Sequence, residues 1–387
     1  MVTPAQAGAQ LAPGLRRDDG ASGDDSTGFI KTFPCTGCGA KLSFAPGTHN
    51  LKCEFCGTSN AIAENADRIE ELDFATYLKV LEGKQEVIEE EHVRCDKCGA
   101  EQNLPSTLFA SRCTFCGAGI VSKSYANRRI KPKSIVPFQV DKRAALDRFR
   151  GWVRKQWLAP NDFKRYVRTD AGLSGVYLPY WTYDCETSSD YRGERGDDYY
   201  VNEEYETTNS KGETVVAQQR RRETRWSPAS GHVNKFHDDV LVMASQTLPA
   251  NILGACARWN LKGLVPYQPE FVSGFQAEAY RVGLREGFPI AKQAIDATVA
   301  DLVRRDIGGD HQRITSVATQ YTDIKFKHVL LPVWISAYRY RDKVYRFIIN
   351  GQTGEVSGES PKSWWKVALL TVALLVVVFL ALVIFGR

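Results

Sequence analysis

The sequence predicts an α+β protein with two small cysteine-built units, a larger mixed body and one helix able to cross a membrane. Three observations carry this. Four C-x-x-C pairs fall in two sets near the N-terminus. Two long amphipathic patterns alternate with aromatic, β-rich stretches in the middle. Residues 367–385 form one apolar run at the C-terminus.

The first set is "CTGCGAKLSFAPGTHNLKCEFC", residues 35–56, and the second is "CDKCGAEQNLPSTLFASRCTFC", residues 95–116. Both place fourteen residues between their C-x-x-C pairs. Zinc in a structural site takes four ligands in a tetrahedron, and thiolates are common ligands. A C-x-x-C turn aims two sulfurs at one ion. Gly39, Gly57, Gly99 and Gly117 each follow a second cysteine, where the backbone must fold beneath the metal. The spacer suits a short β-hairpin. Two structural zinc ions are therefore expected, one on Cys35, Cys38, Cys53 and Cys56, the other on Cys95, Cys98, Cys113 and Cys116. An iron–sulfur cluster also takes four thiolates, but hairpin-length spacers and paired glycines favour zinc. A thioredoxin-like pair needs a βαβ unit that the sequence does not show. Four thiolates close the shell, so the metal is structural, stabilising each ribbon by about 10 kcal/mol. His49 and His92 lie near the sites and read as surface residues, Cys185 and Cys256 as buried inert thiols.

No apolar leader opens the chain, so the cysteines are expected in a reducing cytoplasm, where C-x-x-C pairs bind metal more often than they form disulfides. In residues 367–385, fifteen of nineteen are Val, Leu, Ile or Phe. As a helix the run is roughly 28 Å long, close to a ~30 Å hydrocarbon core. Insertion is favoured by roughly 5 to 9 kcal/mol. Trp364 and Trp365 stand where interfacial rings belong, and Lys362 and Lys366 flank that side. The expected product is tail-anchored, single-pass in the cytoplasmic (inner) membrane, with its N-terminus in the cytoplasm.

Between these ends the parts follow in order. Residues 1–29 are expected to be disordered, 30–63 to form ribbon one and 64–92 an acidic helical connector. Ribbon two covers 93–124, an α+β body 125–361 and the transmembrane helix 363–385. The connector carries ten acids against three bases over 64–91. Residues 123–133, "KSYANRRIKPK", hold five positive charges and no acid, and read as a linker or as a contact for anionic lipid or an acidic partner. In "VDKRAALDRFRGWVRKQWLAP", Ala145, Leu146, Phe149, Trp152, Val153 and Trp157 share one helical face, Asp141 is placed to cap and Pro160 ends the helix. Residues 186–237 are polar and suggest exposed hairpins. Pro289 opens a second helix whose face is Ile290, Ile295, Val299, Leu302 and Val303. Asn350-Gly351 and "QTGEV" mark turns between closing strands. "LPYW" at 178–181 and "LPVW" at 331–334 suggest two related β-units that pair.

No small-molecule substrate and no enzyme is indicated. The sequence holds no Gly-rich phosphate loop, G-x-S-x-G elbow or H-E-x-x-H pair. His232 and His237 are five apart and read as loop surface residues, and Asp197-Asp198 and Glu203-Glu204 as solvated charge. The ribbons are only weakly basic beside an acidic connector, so nucleic acid, the alternative ligand, is the weaker reading. A membrane adaptor whose ribbons bind a protein partner uses every strong feature.

The paired C-x-x-C-G ribbons, "GVYLPYW", "LLPVW", "FIINGQTGEVSGESP" and the C-terminal span together resemble a family of bacterial tail-anchored membrane proteins with tandem N-terminal zinc ribbons. Its members are often labelled TFIIB-type zinc ribbon or PriA-like primosomal proteins on the cysteines alone. The resemblance implies partners among phage-shock-type or SPFH-type membrane proteins and a role in envelope stress.

Overall fold

The structure is a computed structural model that describes residues 33–65, 68–82, 88–95, 100–102, 110–115, 119–121, 124–163, 172–208, 212, 214–248, 252, 258–341 and 343–385. The segment 1–29 expected to be disordered, Cys98, Gly99, Cys116, Gly117, Lys123 and Cys256 lie outside the described residues.

The first cysteine unit is a three-stranded antiparallel sheet of β1 (Leu42–Phe44), β2 (Asn50–Cys53) and β3 (Ser59–Ala61). The chain then forms β4 (Leu72–Asp73) and α1 (Phe74–Glu82). Asp73 starts the helix by accepting the Thr76 N–H at 2.7 Å. Among the described residues of the connector, helix thus covers Phe74–Glu82. Next come β5 (Ile88–Arg94), β6 (Glu101–Gln102), β7 (Ala110–Arg112), β8 (Gly119–Val121) and β9 (Ser124–Arg129). β7 and β8 make a hairpin, while β5 lies between β6 and β9. The register sets Glu89 opposite Arg128 and Ile88 opposite Arg129. Part of the basic stretch is therefore a strand laid against the chain's own acidic connector.

The body adds β10 (Ser134–Ile135), α2 (Lys142–Lys155), β11 (Ser174–Thr208), β12 (Thr214–Met243), β13 (Val265–Pro266) and α3 (Pro269–Val272). It ends with β14 (Gln276–Ala277), α4 (Leu284–Ile307), β15 (His311–Tyr340), β16 (Lys343–Asn350), β17 (Val356–Gly358) and α5 (Trp364–Phe385). Among the described residues one sheet of nine strands has the path β12-β11-β15-β10-β13, with β11 antiparallel to β12 on one side and to β15 on the other. The two echoing motifs meet there, with Leu178 opposite Leu331. Each carries a proline inside a strand, which a ladder tolerates only where no N–H is needed. Pro179 sits where the outer neighbour of β11 changes from β14 to β12, and Pro332 where that of β15 changes from β10 to β16.

Residues 186–237 form no set of short hairpins. β11 and β12 run 35 and 30 residues as one ribbon, about 115 Å along β11 at ~3.3 Å per residue. The turn residues of "WSPASGH" fit inside β12. Gly231 is required because any Cβ there would come within 2.7 Å of the Tyr191 hydroxyl. Up to Gly196 the ribbon is three strands wide, backed by α4.

Helix α4 starts at Leu284, five residues ahead of the expected Pro289, and buries Leu284, Gly287, Ala291, Ile295, Val299, Val303 and Ile307. Ile290 is exposed instead, since the contact stripe follows a strict four-residue step after Gly287. On α2, Asp141 Oδ1 accepts the Ala144 N–H at 2.7 Å, as expected, and Ala145, Phe149 and Val153 are buried. Trp157 departs from the expectation. The helix ends at Lys155, and Trp157 is 57% exposed.

Strand alternation divides the core. Tyr177, Leu330 and Trp334 face one side of the sheet; Val176, Leu178, Tyr180, Val329, Leu331 and Val333 face the other. The cysteine units cover opposite faces. Leu42, Phe44, Leu51 and Ile62 of the first pack with the Tyr177 side, and Ala100 and Phe115 of the second with the Val176 side.

Candidate metal centre

The first unit brings Cys35, Cys38, Cys53 and Cys56 together. Their sulfurs all lie within 4.8 Å of one another. Cys35 Sγ is 3.5 Å from Cys56 Sγ, and Cys38 Sγ is 3.6 Å from Cys53 Sγ. A tetrahedron with Zn–S bonds of ~2.3 Å sets sulfurs roughly 3.8 Å apart, so one zinc fits this donor set. The knuckles are shaped by backbone. Gly39 and Gly57 have φ of +74° and +76°, a region that favours glycine, and no atom lies within 4 Å of a Cβ there. The left-handed turn, not crowding, fixes those glycines. The Gly37 N–H points at Cys35 Sγ (3.4 Å), and Cys56 Sγ is 3.1 Å from Thr58 Oγ1. The Thr58 hydroxyl and N–H lower the Cys56 thiol to about 6, favouring the thiolate a metal needs. Cys38, although drawn down by the Ala40 N–H, is raised to about 12 by the neighbouring Cys56 and Cys53. Four sulfurs this close do not share four negative charges without a cation between them.

This unit is fused to the body. Phe44 N–H donates to Ser273 O (2.9 Å), Ser273 Oγ to Leu42 O (2.7 Å) and Gly47 N–H to Phe138 O (2.8 Å). Cys35 and Cys53 are buried in the shared core, while Cys38 and Cys56 face outward.

In the second unit Cys95 and Cys113 are described, and both are buried. Its first knuckle repeats the first unit's backbone: Cys95 N–H donates to Ala100 O at 2.8 Å, as Cys35 N–H does to Ala40 O at 2.7 Å. Cys98 and Cys116 lie outside the described residues, and a second ion site is not evident among those described. The equivalent aromatics part company. Phe115 is 1% exposed, in the core with Val176 and Leu178, and its carbonyl accepts from Arg346 Nε at 3.0 Å. Phe55 is 83% exposed.

Other expected residues fall as follows. His49 is exposed, and the His92 side chain lies outside the described set. Cys185 is buried, and burial raises its thiol to about 11, fitting an inert role. His232 and His237 lie on β12, not in a loop, five residues apart and so on opposite faces. His237 is buried, bonded to Thr187 Oγ1 at 3.1 Å, and burial lowers its pKa. His232 stays outward, held up by Asp190 at 2.8 Å.

Sequence reasoning missed one cluster. Carboxylate oxygens of Asp184, Asp238 and Asp239 converge within 4.8 Å at a bulge in the β11–β12 ladder. The cation there is Lys327. Its Nζ is 2.7 Å from Asp239 Oδ1, 3.0 Å from Glu71 Oε1 and 3.8 Å from Asp184 Oδ2. Burial raises Asp184 to about 6, against the pull of the Asp239 N–H and Lys327. Burial depresses Lys327, but Asp239 and Glu71 outweigh it and hold the ammonium charged. The signal was present: a lone Asp in "YLPYWTYDCE" and a lone Lys between Phe326 and His328 interrupt buried strand patterns.

At the other end, α5 has a 20-residue stretch, Trp364–Val383, of mean hydropathy 2.9, with none of it buried. It is long and apolar enough to cross a membrane. Lys366 Nζ ties its start to the segment that follows α2, donating to Trp157 O, Ala159 O and Asn161 Oδ1 at 3.1, 2.8 and 3.0 Å.

No protein-family model matches the chain, and no solved structure matches it. It is similar to a protein of Bacillus subtilis (strain 168) described as uncharacterized protein YdjG, with 26% identity over 345 residues, 88% of this chain and 93% of that one.

Proposed function

We propose that this chain is a single-span membrane adaptor that holds a zinc-ribbon surface at the cytoplasmic face of the inner membrane and recruits a protein partner there. Phe55 is the observation that carries this reading. A large apolar ring stands in solvent on a rigid thiolate knuckle, while its counterpart Phe115 is fully used inside. An exposed aromatic on a preorganised turn is the anchor type that dominates protein interfaces. The span supports confinement to a bilayer, which raises the effective concentration of whatever binds. Trp157, Trp364 and Trp365, all exposed beside Lys366, supply an interfacial belt where the body meets the span. The zinc holds the knuckle rigid and takes no part in chemistry. Resemblance directs the search to phage-shock-type and SPFH-type membrane proteins.

The experiment is affinity capture of the full chain from detergent-solubilised membranes, beside Phe55→Asp. The expected result is a partner retained by the native chain and lost with Phe55→Asp at unchanged zinc content. Equal capture by both chains overturns the reading.

A further inference from the structure

The far part of the β11–β12 ribbon leaves two strand edges open at the same height. β15 ends at His311, opposite Gly196, and the Asp198 N–H is taken by Asp310 Oδ2 at 2.9 Å. From Tyr199 to Thr208, β11 has β12 as its only strand partner among the described residues. Among the described residues, β12 in turn pairs only with β11 there. Pro228, opposite Glu194, places a residue without an N–H on the β12 edge just below this stretch. The two free edges are thus Tyr199–Thr208 and Thr214–Arg225, facing opposite ways.

Their charges are opposite too. Tyr199–Thr208 carries Glu203, Glu204 and Glu206 and no base. Thr214–Arg225 carries Arg220, Arg221, Arg222 and Arg225 against Glu223; Arg221 and Arg222 also reach Glu203 and Asp198 of their own β11 at 3.5 and 3.4 Å, leaving the basic edge in excess. A two-stranded hairpin without a core is marginal in water. Here Tyr200, Tyr205, Val215 and Val216 are exposed on it. Charges on an edge repel an identical edge, but they invite an edge of opposite sign.

We propose that the acidic β11 edge Tyr199–Thr208 of one copy pairs, antiparallel, with the basic β12 edge Thr214–Arg225 of a second copy of this chain. The geometry suits a shared membrane. Within each ribbon β12 already runs against β11, so adding the neighbour's β12 to the free side of β11 leaves both ribbons pointing the same way. The contact is head-to-tail, with a free acidic edge at one end and a free basic edge at the other, so further copies add in a closed ring or an open row. This assembly is independent of the partner bound at Phe55.

The test is the mass of the full chain in nonionic detergent by sedimentation, with three proteins: native, Arg220→Glu/Arg221→Glu/Arg222→Glu, and Glu203→Lys/Glu204→Lys/Glu206→Lys. The native chain should be oligomeric at low salt and dissociate as salt rises. Each variant alone should associate about tenfold or more weakly. An equimolar mixture of the two variants should recover complexes, because one offers two acidic edges and the other two basic ones. Recovery also shows that both variants are folded. A monomeric native chain, unchanged mass in the variants, or a mixture that stays dissociated overturns the proposal. A native monomer whose capture of another protein is lost in both variants assigns the edges to that protein instead, and equally overturns it.

Discussion

The two cysteine units share spacing, a knuckle backbone and an aromatic before the last cysteine, yet they use that aromatic in opposite ways. Phe115 fills the core on the Val176 face of the sheet, and Phe55 stands almost wholly in solvent. The difference comes from which part of each unit meets the body. The first docks through its hairpin, with Leu42 and Phe44 against Ser273 and Phe271, so its second knuckle is turned outward. The second docks through that knuckle itself, with Arg346 and Gln276 holding Phe115 and Thr114. A repeated motif thus gives one structural clamp and one presented surface.

The largest predicted effect comes from the metal. Cys53→Ala removes a buried thiol of the four-cysteine cluster, and a structural zinc on four thiolates, as proposed for it, contributes about 10 kcal/mol. Because Cys53 lies in the core shared with the body, the whole part of the chain before the apolar helix should unfold earlier. Metal analysis should show the loss of one zinc per chain, and thermal unfolding a lowered Tm. Next is Phe115→Ala, expected to cost about 3 to 5 kcal/mol as a fully buried ring is deleted. Phe55→Ala should stay within about 0.5 kcal/mol by the same chemical-denaturation measurement. Equal effects of the two would erase the contrast.

A smaller effect concerns the tie between the connector and the sheet. Asp184 is held at about 6 against its usual 3.8. The folded state therefore binds more protons than the unfolded state between those values. The burial cost of this carboxylate is full above pH 6 and is relieved as pH falls toward 4. Asp184→Asn should remove that contribution, read as a flatter stability–pH curve across this window.

Much of the site was legible in the sequence because thiolate geometry is local. The spacing of Cys35, Cys38, Cys53 and Cys56 and the glycines after them specify the cluster without distant residues. The apolar run of α5, the Asp141 cap and the Asn350 turn were legible for the same reason; Asn350 Oδ1 accepts the N–H groups of Gln352 and Thr353 at 2.8 and 3.0 Å. What was hidden depends on pairing across the chain. Residues 186–237 suggested short hairpins, and only the partner strand shows that Pro228 and Gly231 fit one continuous ribbon. The Asp184–Asp239–Lys327–Glu71 cluster joins four distant segments. The fate of the two phenylalanines was equally hidden, since their local sequences are nearly identical and only docking separates them.

The most direct measurement is site-specific photo-cross-linking in intact cells, with a photoreactive phenylalanine analogue at position 55 or at position 115 of the full chain. Irradiation is predicted to join position 55 to a second polypeptide, and position 115 to this chain alone. No adduct at position 55, an adduct with lipid only, or the same adduct from both positions would contradict the account.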